Sequence, residues 1–146
     1  MGMTSQARQP KIGEIYLMDF SGTDSEQRGL RPGLVFQNNT GNLYSPNIIA
    51  LPLTTSLKKR SQPTHVLIRA SSGGLLKDSV VLCENPERMS KSKIGRYITT
   101  LSDRNMARVA AASLLSTSVI AYLDPDELLS LWQRAISLNA EETHNT

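Results

Sequence analysis

The segment Ser25-Glu26-Gln27-Arg28-Gly29-Leu30-Arg31-Pro32-Gly33-Leu34-Val35-Phe36 changes from polar to apolar along its length, and this change decides the fold. The polar part predicts a loop over residues 21 to 31, and the apolar part predicts a β-strand over residues 32 to 38. Proline is tolerated in a sheet mainly at the first residue of a strand or on an edge, so Pro32 is expected to begin this strand. Clash with the Pro32 ring also biases Arg31 toward an extended backbone.

Arg31 is therefore a cation that leaves the backbone from a fixed point. Its planar guanidinium stays charged at any working pH, and it matches phosphate oxygens better than the point charge of a lysine does. We expect the chemistry of the protein to centre on this side chain.

The rest of the N-terminal two-thirds predicts short strands separated by turn residues. Their apolar and β-branched patterns indicate a mainly antiparallel sheet. In addition to 32–38, strands are predicted over residues 12–20, 47–54, 63–70, 78–84 and 93–100.

Two helices are predicted in the C-terminal third. Ser102 offers an N-cap, and apolar residues then recur at helical spacing, so a helix over residues 103–117 should pack on the sheet. The run Asp124-Pro125-Asp126-Glu127 is a clearer start, with an N-cap aspartate and a proline at the first helical position. The helix that follows carries on one side Leu128, Leu131, Trp132, Ala135 and Leu138. That stripe predicts packing onto the helix's own domain or onto a partner chain.

Length and composition indicate one ordinary domain. The chain has 146 residues, 39% of them hydrophobic and 20% charged, which is enough for one core. No apolar run approaches the ~20 residues that cross a bilayer, and the N-terminus lacks the apolar stretch of a secretory signal, so we expect a cytoplasmic protein without a membrane partner. One cysteine and two distant histidines do not supply the usual zinc spacing, and no metal or cofactor is expected.

Positive charge is concentrated in the predicted sheet. Residues 1 to 102 hold 13 Lys/Arg and 7 Asp/Glu, whereas residues 103 to 146 hold 3 Lys/Arg and 6 Asp/Glu. The basic side chains fall in three places, namely Arg28 with Arg31, the run Lys58-Lys59-Arg60, and the run from Arg88 to Arg96. If these converge they form a polyanion-binding face. The alternative is three solvated loops.

Other catalytic motifs are absent or weak. The sequence contains no phosphate-binding glycine motif and no G-x-S-x-G nucleophile turn. Cys83 lies in an apolar strand, where a thiol is usually buried and inert. His65 is a candidate acid or base, and the alternative is a strand histidine half covered by its neighbours.

Seven short elements in order resemble the MazF/PemK family of toxin endoribonucleases, over about residues 12 to 117. They are G-E-I-Y at Gly13–Tyr16, S-E-Q-R-G-L-R-P at Ser25–Pro32, L-V-F-Q-N at Leu34–Asn38, G-N-L-Y-S-P at Gly41–Pro46, P-L-T at Pro52–Thr54, P-T-H-V at Pro63–Val66 and D-S-V-V-L-C-E at Asp78–Glu84. The resemblance implies an α+β fold with an SH3-like, CcdB-type antiparallel β-barrel and a C-terminal helix. It also implies a homodimer that cleaves single-stranded RNA without a metal, does not cleave DNA, and is neutralised by a MazE-like antitoxin.

By motif match, the resemblance assigns catalysis to Arg31 and Thr54. RNA carries its own nucleophile, the 2′-hydroxyl, so such an enzyme need only align the ribose, stabilise the phosphorane and help the 5′-oxygen leave. The products would be a 2′,3′-cyclic phosphate and a 5′-hydroxyl. The group that deprotonates the 2′-hydroxyl stays open, and Glu26 is a possible helper or simply an exposed carboxylate.

RNA contacts are expected from the same motifs and from the basic runs. The residues expected to bind RNA are Ser25, Glu26, Gln27, Arg28, Asn38, Lys58, Lys59, His65, Glu84 and Arg88. After Glu84 the chain departs from the family pattern, with Asn85-Pro86-Glu87-Arg88 where relatives commonly have Q-I-R-T. This departure leaves the preferred RNA sequence undetermined.

The expected organisation is a toxin domain over residues 12–117 and a helical extension over 118–138. Residues 1–11 and 139–146 are expected to be disordered. Two other functions stay open. One is a noncatalytic RNA-binding or antitoxin-binding module of the same fold. The other is a gyrase-inhibiting toxin, which the polar C-terminus and the Arg31–Thr54 pair disfavour.

Overall fold

The computed structural model describes residues 8–22, 29–59 and 62–144. They form an α+β fold, in which helices accompany an antiparallel sheet of seven strands. The strands are β1 (Glu14–Asp19), β2 (Leu30–Val35), β3 (Asn47–Thr54), β4 (His65–Ile68), β5 (Ser79–Leu82), β6 (Glu87–Ser90) and β7 (Ile94–Thr100). The helices are α1 (Asn39–Tyr44), α2 (Ala70–Gly73), α3 (Asp103–Ser116) and α4 (Pro125–His144), with 3₁₀ turns at Leu57–Lys59, Lys91–Lys93 and Val119–Tyr122.

The strands pair in the order β4-β5-β3-β2-β1-β7. β6 lies off this path and pairs with the same edge of β3 that pairs with β5. The path is open, since no pairing joins β4 to β7 within the described residues. These pairings therefore do not form the closed barrel that the family resemblance implies. None of the helices in the described ranges combines the length and the apolar character needed to cross a bilayer.

Two apolar clusters cover the two faces of the sheet. The first cluster contains Ile15, Leu34, Leu51, Leu53, Val66, Ile68, Val81, Cys83 and Leu101, together with Val109 and Ala112 of α3. The second cluster contains Tyr16, Met18, Phe20, Val35, Ile48, Ala50 and Met89. Side chains alternate between the faces of a strand, so neighbouring residues in β1 and β3 enter different clusters. The first cluster is covered by α3, as the helical spacing of its apolar residues predicts.

The strand after the polar loop begins earlier than the sequence predicts. β2 starts at Leu30, and Pro32 lies inside it, opposite Leu17 of β1. Because β2 pairs with β1 on one side and β3 on the other, Pro32 is neither the first residue nor on an edge. The expectation from proline chemistry was wrong here, and Arg31 is a strand residue rather than the last residue of a loop.

A buried carboxylate holds the chain before β1 against the sheet. Glu14 is 3% exposed and accepts hydrogen bonds from Arg8 Nη2 at 2.7 Å and from the Tyr16 hydroxyl at 2.9 Å. The Arg8 guanidinium also lies 4.0 Å from the centre of the Tyr97 ring. Burial, and then the hydrogen bond to Glu14, raise the pKa of Tyr16, so its hydroxyl stays protonated and donates. Part of the segment expected to be disordered, residues 1–11, is thus fixed, and the rest lies outside the described residues.

Four elements differ from the sequence prediction beyond β2. The sequence predicts neither the short helices α1 and α2 nor the short strand β6. α4 continues to His144, past the end predicted at Leu138. The 3₁₀ turn Val119–Tyr122 links α3 to α4, after Ser118 in the left-handed region with φ 57°.

Gly95 allows β7 to approach β1 closely. A Cβ at this position would lie 2.8 Å from the Leu17 carbonyl oxygen, which is a backbone atom and cannot rotate away. We predict that Gly95→Ala lowers the free energy of unfolding by about 1–3 kcal/mol, as overpacking typically does. Urea unfolding of the purified variant measures this loss.

The matched control is Gly41→Ala in α1. There the atoms nearest to a Cβ belong to the Gln37 side chain, which can rotate at the cost of its hydrogen bonds to Asn42 and Asn47, and alanine favours the helix. A loss at Gly41 as large as the loss at Gly95 would contradict this reading of the β1–β7 contact.

Candidate active site

The pairing of β2 with β3 brings Arg31 and Thr54 together. Gly33 lies opposite Pro52, and Leu34 lies opposite Leu51 in the next pair. Continued toward the start of β2, this antiparallel register places Arg31 opposite Thr54, the last residue of β3. Residues directly opposite each other share a face of the sheet, with Cβ atoms about 4.5–5.5 Å apart. The observed pairs end at Gly33 and Pro52, so the placement of Arg31 beside Thr54 rests on this two-residue continuation of the register.

Arg31 leaves the sheet from the face that carries the second cluster. On its other side it lies opposite Met18 of β1, which belongs to that cluster. Arg31 is partly exposed and its Nε atom is buried, so the side chain packs against its neighbours while part of its surface reaches solvent. A cation held in this way is positioned by packing before any ligand arrives.

Thr54 is fixed by a turn at the end of its strand. Its hydroxyl oxygen accepts a hydrogen bond from the Ser56 backbone N–H at 3.1 Å. That bond uses a lone pair of the oxygen, so the hydroxyl proton can still be donated. Thr54 thus offers a neutral donor beside the charged donors of Arg31.

A buried histidine lies on the same face, farther along the sheet. Thr54 lies opposite Val80 of β5, and Val80 lies opposite Leu67 of β4. His65 comes two residues before Leu67, so it points to the same face about 7 Å along the strand.

His65 is tied to a carboxylate. Its side chain is 2% exposed, and its Nε2 lies 2.6 Å from Oε1 of Glu84, whose side chain is 35% exposed. The sequence expects a half-covered strand histidine, and the structure buries it more completely. The pair holds the Glu84 carboxylate in place with part of its surface open to solvent, where it can accept hydrogen bonds.

The remaining expected RNA-binding residues are distributed unevenly. Ser25, Glu26, Gln27 and Arg28 lie outside the described residues. Lys58 is exposed in the turn that follows Thr54, and Lys59 ends that turn. Asn38 caps α1 by accepting from the Gly41 backbone N–H at 2.9 Å, which gives it a structural role.

Arg88 is not brought to the Arg31 face. It lies opposite Ile49, whereas its neighbour Glu87 lies opposite Ala50 of the second cluster. The register therefore directs Glu87, and not Arg88, to the side that carries Arg31. Sequence reasoning missed Glu87 because β6 was not predicted, and only the alternation of Met89 with polar neighbours hinted at a strand.

Cys83 does not contribute a nucleophile. It is 2% exposed within the first cluster, and this burial raises the pKa of the thiol to about 11. The thiol is protonated at neutral pH and shielded from solvent. Within the ranges that the structure describes, three or more His, Cys, Asp or Glu side chains nowhere gather as a metal site would require.

Known proteins are similar to this chain in sequence and in fold. Residues 11–115 match the profile of the family described as PemK-like, MazF-like toxin of type II toxin–antitoxin system. The chain is 43% identical over 98 residues, 66% of its length and 82% of the relative's, to an endoribonuclease MazF of Staphylococcus saprophyticus. It therefore belongs to the PemK-like, MazF-like toxin family.

Solved structures agree on the fold. An endoribonuclease in complex with its cognate antitoxin, from a mycobacterial species, superposes with a TM-score of 0.64 at 25% identity, over 75% of this chain and 96% of that one. MazF from Deinococcus radiodurans superposes with a TM-score of 0.65 at 19% identity, over 76% of this chain and 98% of that one. In both comparisons this chain covers nearly the whole of the solved chain.

The environment of Cys83 predicts a slow thiol. With the pKa raised to about 11, the thiolate fraction at pH 8 is about 10²-fold below that of an ordinary cysteine. We expect iodoacetamide to label the native protein at least that much more slowly than the same chain in urea. The native rate should climb as the pH rises toward 11, and rapid native labelling at pH 8 would contradict the burial.

Proposed function

We propose that this chain is an endoribonuclease toxin that cuts single-stranded RNA at the site formed by Arg31 and Thr54. The observation that carries the proposal is the register that sets a charged donor and a hydroxyl donor side by side, in a fold shared with MazF endoribonucleases. The S. saprophyticus relative is named for this activity and is similar along most of its own length.

The substrate supplies the nucleophile, and a base that the Arg31–Thr54 pair does not supply takes the 2′-hydroxyl proton. The 2′-oxygen attacks the adjacent phosphorus, the bond from phosphorus to the 5′-oxygen breaks, and that oxygen takes up a proton. The products are a 2′,3′-cyclic phosphate and a 5′-hydroxyl. Negative charge grows on the nonbridging oxygens as the phosphorane forms, and Arg31 can donate to two of them at once. Thr54 donates to the same phosphate from the neighbouring strand. Preorganised donors of this kind stabilise the transition state more than the ground state.

RNA binding extends from this pair in two directions. The exposed Lys58 lies four residues after Thr54, in the turn that follows β3, and can contact the next phosphate by charge alone. Along the sheet, the Glu84 carboxylate held by His65 can accept hydrogen bonds from the amino groups of bases. The loop with Ser25, Glu26, Gln27 and Arg28 precedes Arg31 in sequence, so it supplies further contacts in this proposal.

The partners follow from the family. A cognate antitoxin of the MazE type would neutralise the toxin, because relatives of this fold were solved in complex with theirs. The finer architecture is the SH3-like, CcdB-type sheet, in which β3 bends to pair with both β5 and β6, and two such subunits form a homodimer. The toxin acts in the cytoplasm, where its RNA substrate is found. The toxin unit is residues 12–117, followed by the helical extension.

Loss of the Arg31 guanidinium should nearly abolish cleavage. We predict that Arg31→Ala lowers the single-turnover rate on a synthetic RNA by about 10²- to 10³-fold, the usual effect of removing one preorganised donor. Thr54→Val keeps the shape and removes only the hydroxyl, so a smaller loss of about 10- to 100-fold is expected. Both rates are measured in EDTA, and fragment ends are tested for 5′-hydroxyls.

The matched control is Arg104→Ala on α3, which removes the same charge from an exposed helix position. It should cut RNA at close to the wild-type rate. Near-normal cleavage by folded Arg31→Ala would overturn the site. Intact RNA with retained binding by the wild-type protein would establish the noncatalytic module instead.

The nucleophile can be tested on the substrate. We predict that replacing the single ribose 5′ to the cut phosphate by deoxyribose prevents cleavage, because the attacking 2′-hydroxyl is gone. Binding of this RNA, measured by fluorescence anisotropy, should change by less than threefold, roughly one hydrogen bond. Cutting at the modified phosphate would show that water is the nucleophile and would contradict the mechanism.

A further inference from the structure

The C-terminal helix presents an apolar face that none of the residues described by the structure covers. Every described side chain of α4, from Pro125 to Leu138, is exposed. Of the nineteen exposed large apolar side chains among the described residues, eleven lie between Leu114 and Leu138. They include Trp132, which is 62% exposed. Monomeric proteins rarely expose contiguous apolar patches larger than a few hundred Å², and larger ones mark interaction sites.

The apolar residues of α4 form one broad stripe. At 3.6 residues per turn, Leu128, Trp132 and Ala135 form its centre, and Leu131 lies beside them. Leu129 and Ile136 form one margin of the stripe, and Leu138 forms the other. In proteins most helical stability comes from packing of an amphipathic face, and this stripe is such a face. α4 also lies wholly beyond residues 11–115, the part of the chain that matches the toxin family.

Two opposite charges border the stripe on one side. Glu127 and Arg134 both lie beside the margin formed by Leu131 and Leu138, two helical turns apart. They are about 10.5 Å apart along the axis, too far to pair with each other. The positions three and four residues from Arg134 hold only serine and leucine, so no carboxylate of α4 reaches it in the usual helical spacing.

This charge pattern is complementary to itself. When a second copy of α4 is placed antiparallel, each Glu127 comes beside the Arg134 of the other copy, which gives two equivalent ion pairs. Leu128, Leu131 and Trp132 lie between these charges and meet at the two-fold axis. In a parallel copy this charged margin would instead lie beside the Leu129 and Ile136 margin of the other helix, and neither charge would find a partner. Self-complementary patches of this kind are what a two-fold interface requires.

The same arrangement covers apolar residues beyond the charged pair. With Glu127 opposite Arg134, Leu138 lies just beyond Pro125, the first residue of the other copy's α4. The 3₁₀ turn that closely precedes this end of the helix contains Tyr122, which is 88% exposed. The apolar surface available to the contact therefore continues past the start of α4.

We propose that α4 is a self-association surface, on which two copies of this chain pair their α4 helices antiparallel, with Glu127 of each beside Arg134 of the other. The occupant is a second copy of the chain, because the charges bordering the stripe match an antiparallel copy of themselves. This contact is separate from the RNA site and from any dimer formed by the toxin domain.

The test uses Trp132, the only tryptophan in the chain. In the purified full-length protein at micromolar concentration, we expect Trp132 to be shielded from acrylamide and its emission to shift to the red on dilution. Glu127→Arg places two like-charge pairs in the contact, and should weaken association by about tenfold or more. Arg134→Glu should do the same. The double variant Glu127→Arg with Arg134→Glu should restore the wild-type concentration dependence.

Asp126→Arg is the matched control, since it reverses the charge of the neighbouring residue near the same helix end but on the other side of the helix. It should associate like the wild type, and sedimentation of all variants follows the particle mass. Failure of the double variant to restore association would overturn the antiparallel pairing. Emission that is independent of dilution and of every variant would overturn it too, as would Trp132 shielding that appears only when antitoxin is added.

Discussion

The pairing of β2 with β3 is the constraint on which the rest of the site depends. Gly33 opposite Pro52 fixes one register, and that register sets Arg31 beside Thr54. A slip of one residue would turn the guanidinium and the hydroxyl to opposite faces of the sheet. A phosphate can contact both donors only if the two side chains lie on the same face of the sheet. This alignment therefore matters more than the strand order.

Packing beneath the two strands holds the alignment. A Cβ at Gly33 would lie 2.6 Å from Met18 Sδ and 3.0 Å from Phe20 Cζ, so only glycine lets these side chains close over β2. The second cluster therefore supports Arg31 from one side, while the first cluster, with α3, supports the sheet from the other. Rigid elements of this kind position donors more precisely than loops do. The site is thus a product of the core, although its residues reach the surface.

Sequence patterns predicted much of this fold and singled out the residues of the proposed site. The spacing of apolar residues predicted six strands, and such spacing together with the Ser102 N-cap predicted α3. Charge and the backbone restriction before Pro32 singled out Arg31. Proline chemistry failed at Pro32, because tertiary pairing placed it inside a central strand. β6 escaped prediction because its four residues Glu87–Ser90 carry one buried apolar side chain. No sequence rule gives the register that joins Arg31 to Thr54, since pairing between distant segments is set by the whole core.

In the proposed reaction, Arg31 and Thr54 act together on one phosphate. The most direct measurement is a double-mutant cycle of the single-turnover cleavage rate, with Arg31→Ala, Thr54→Val and the double variant compared on one RNA. Residues that share a transition state are strongly non-additive, so the double variant should lose much less than the product of the two single losses. A fully multiplicative loss would show two independent contributions and would contradict the shared site.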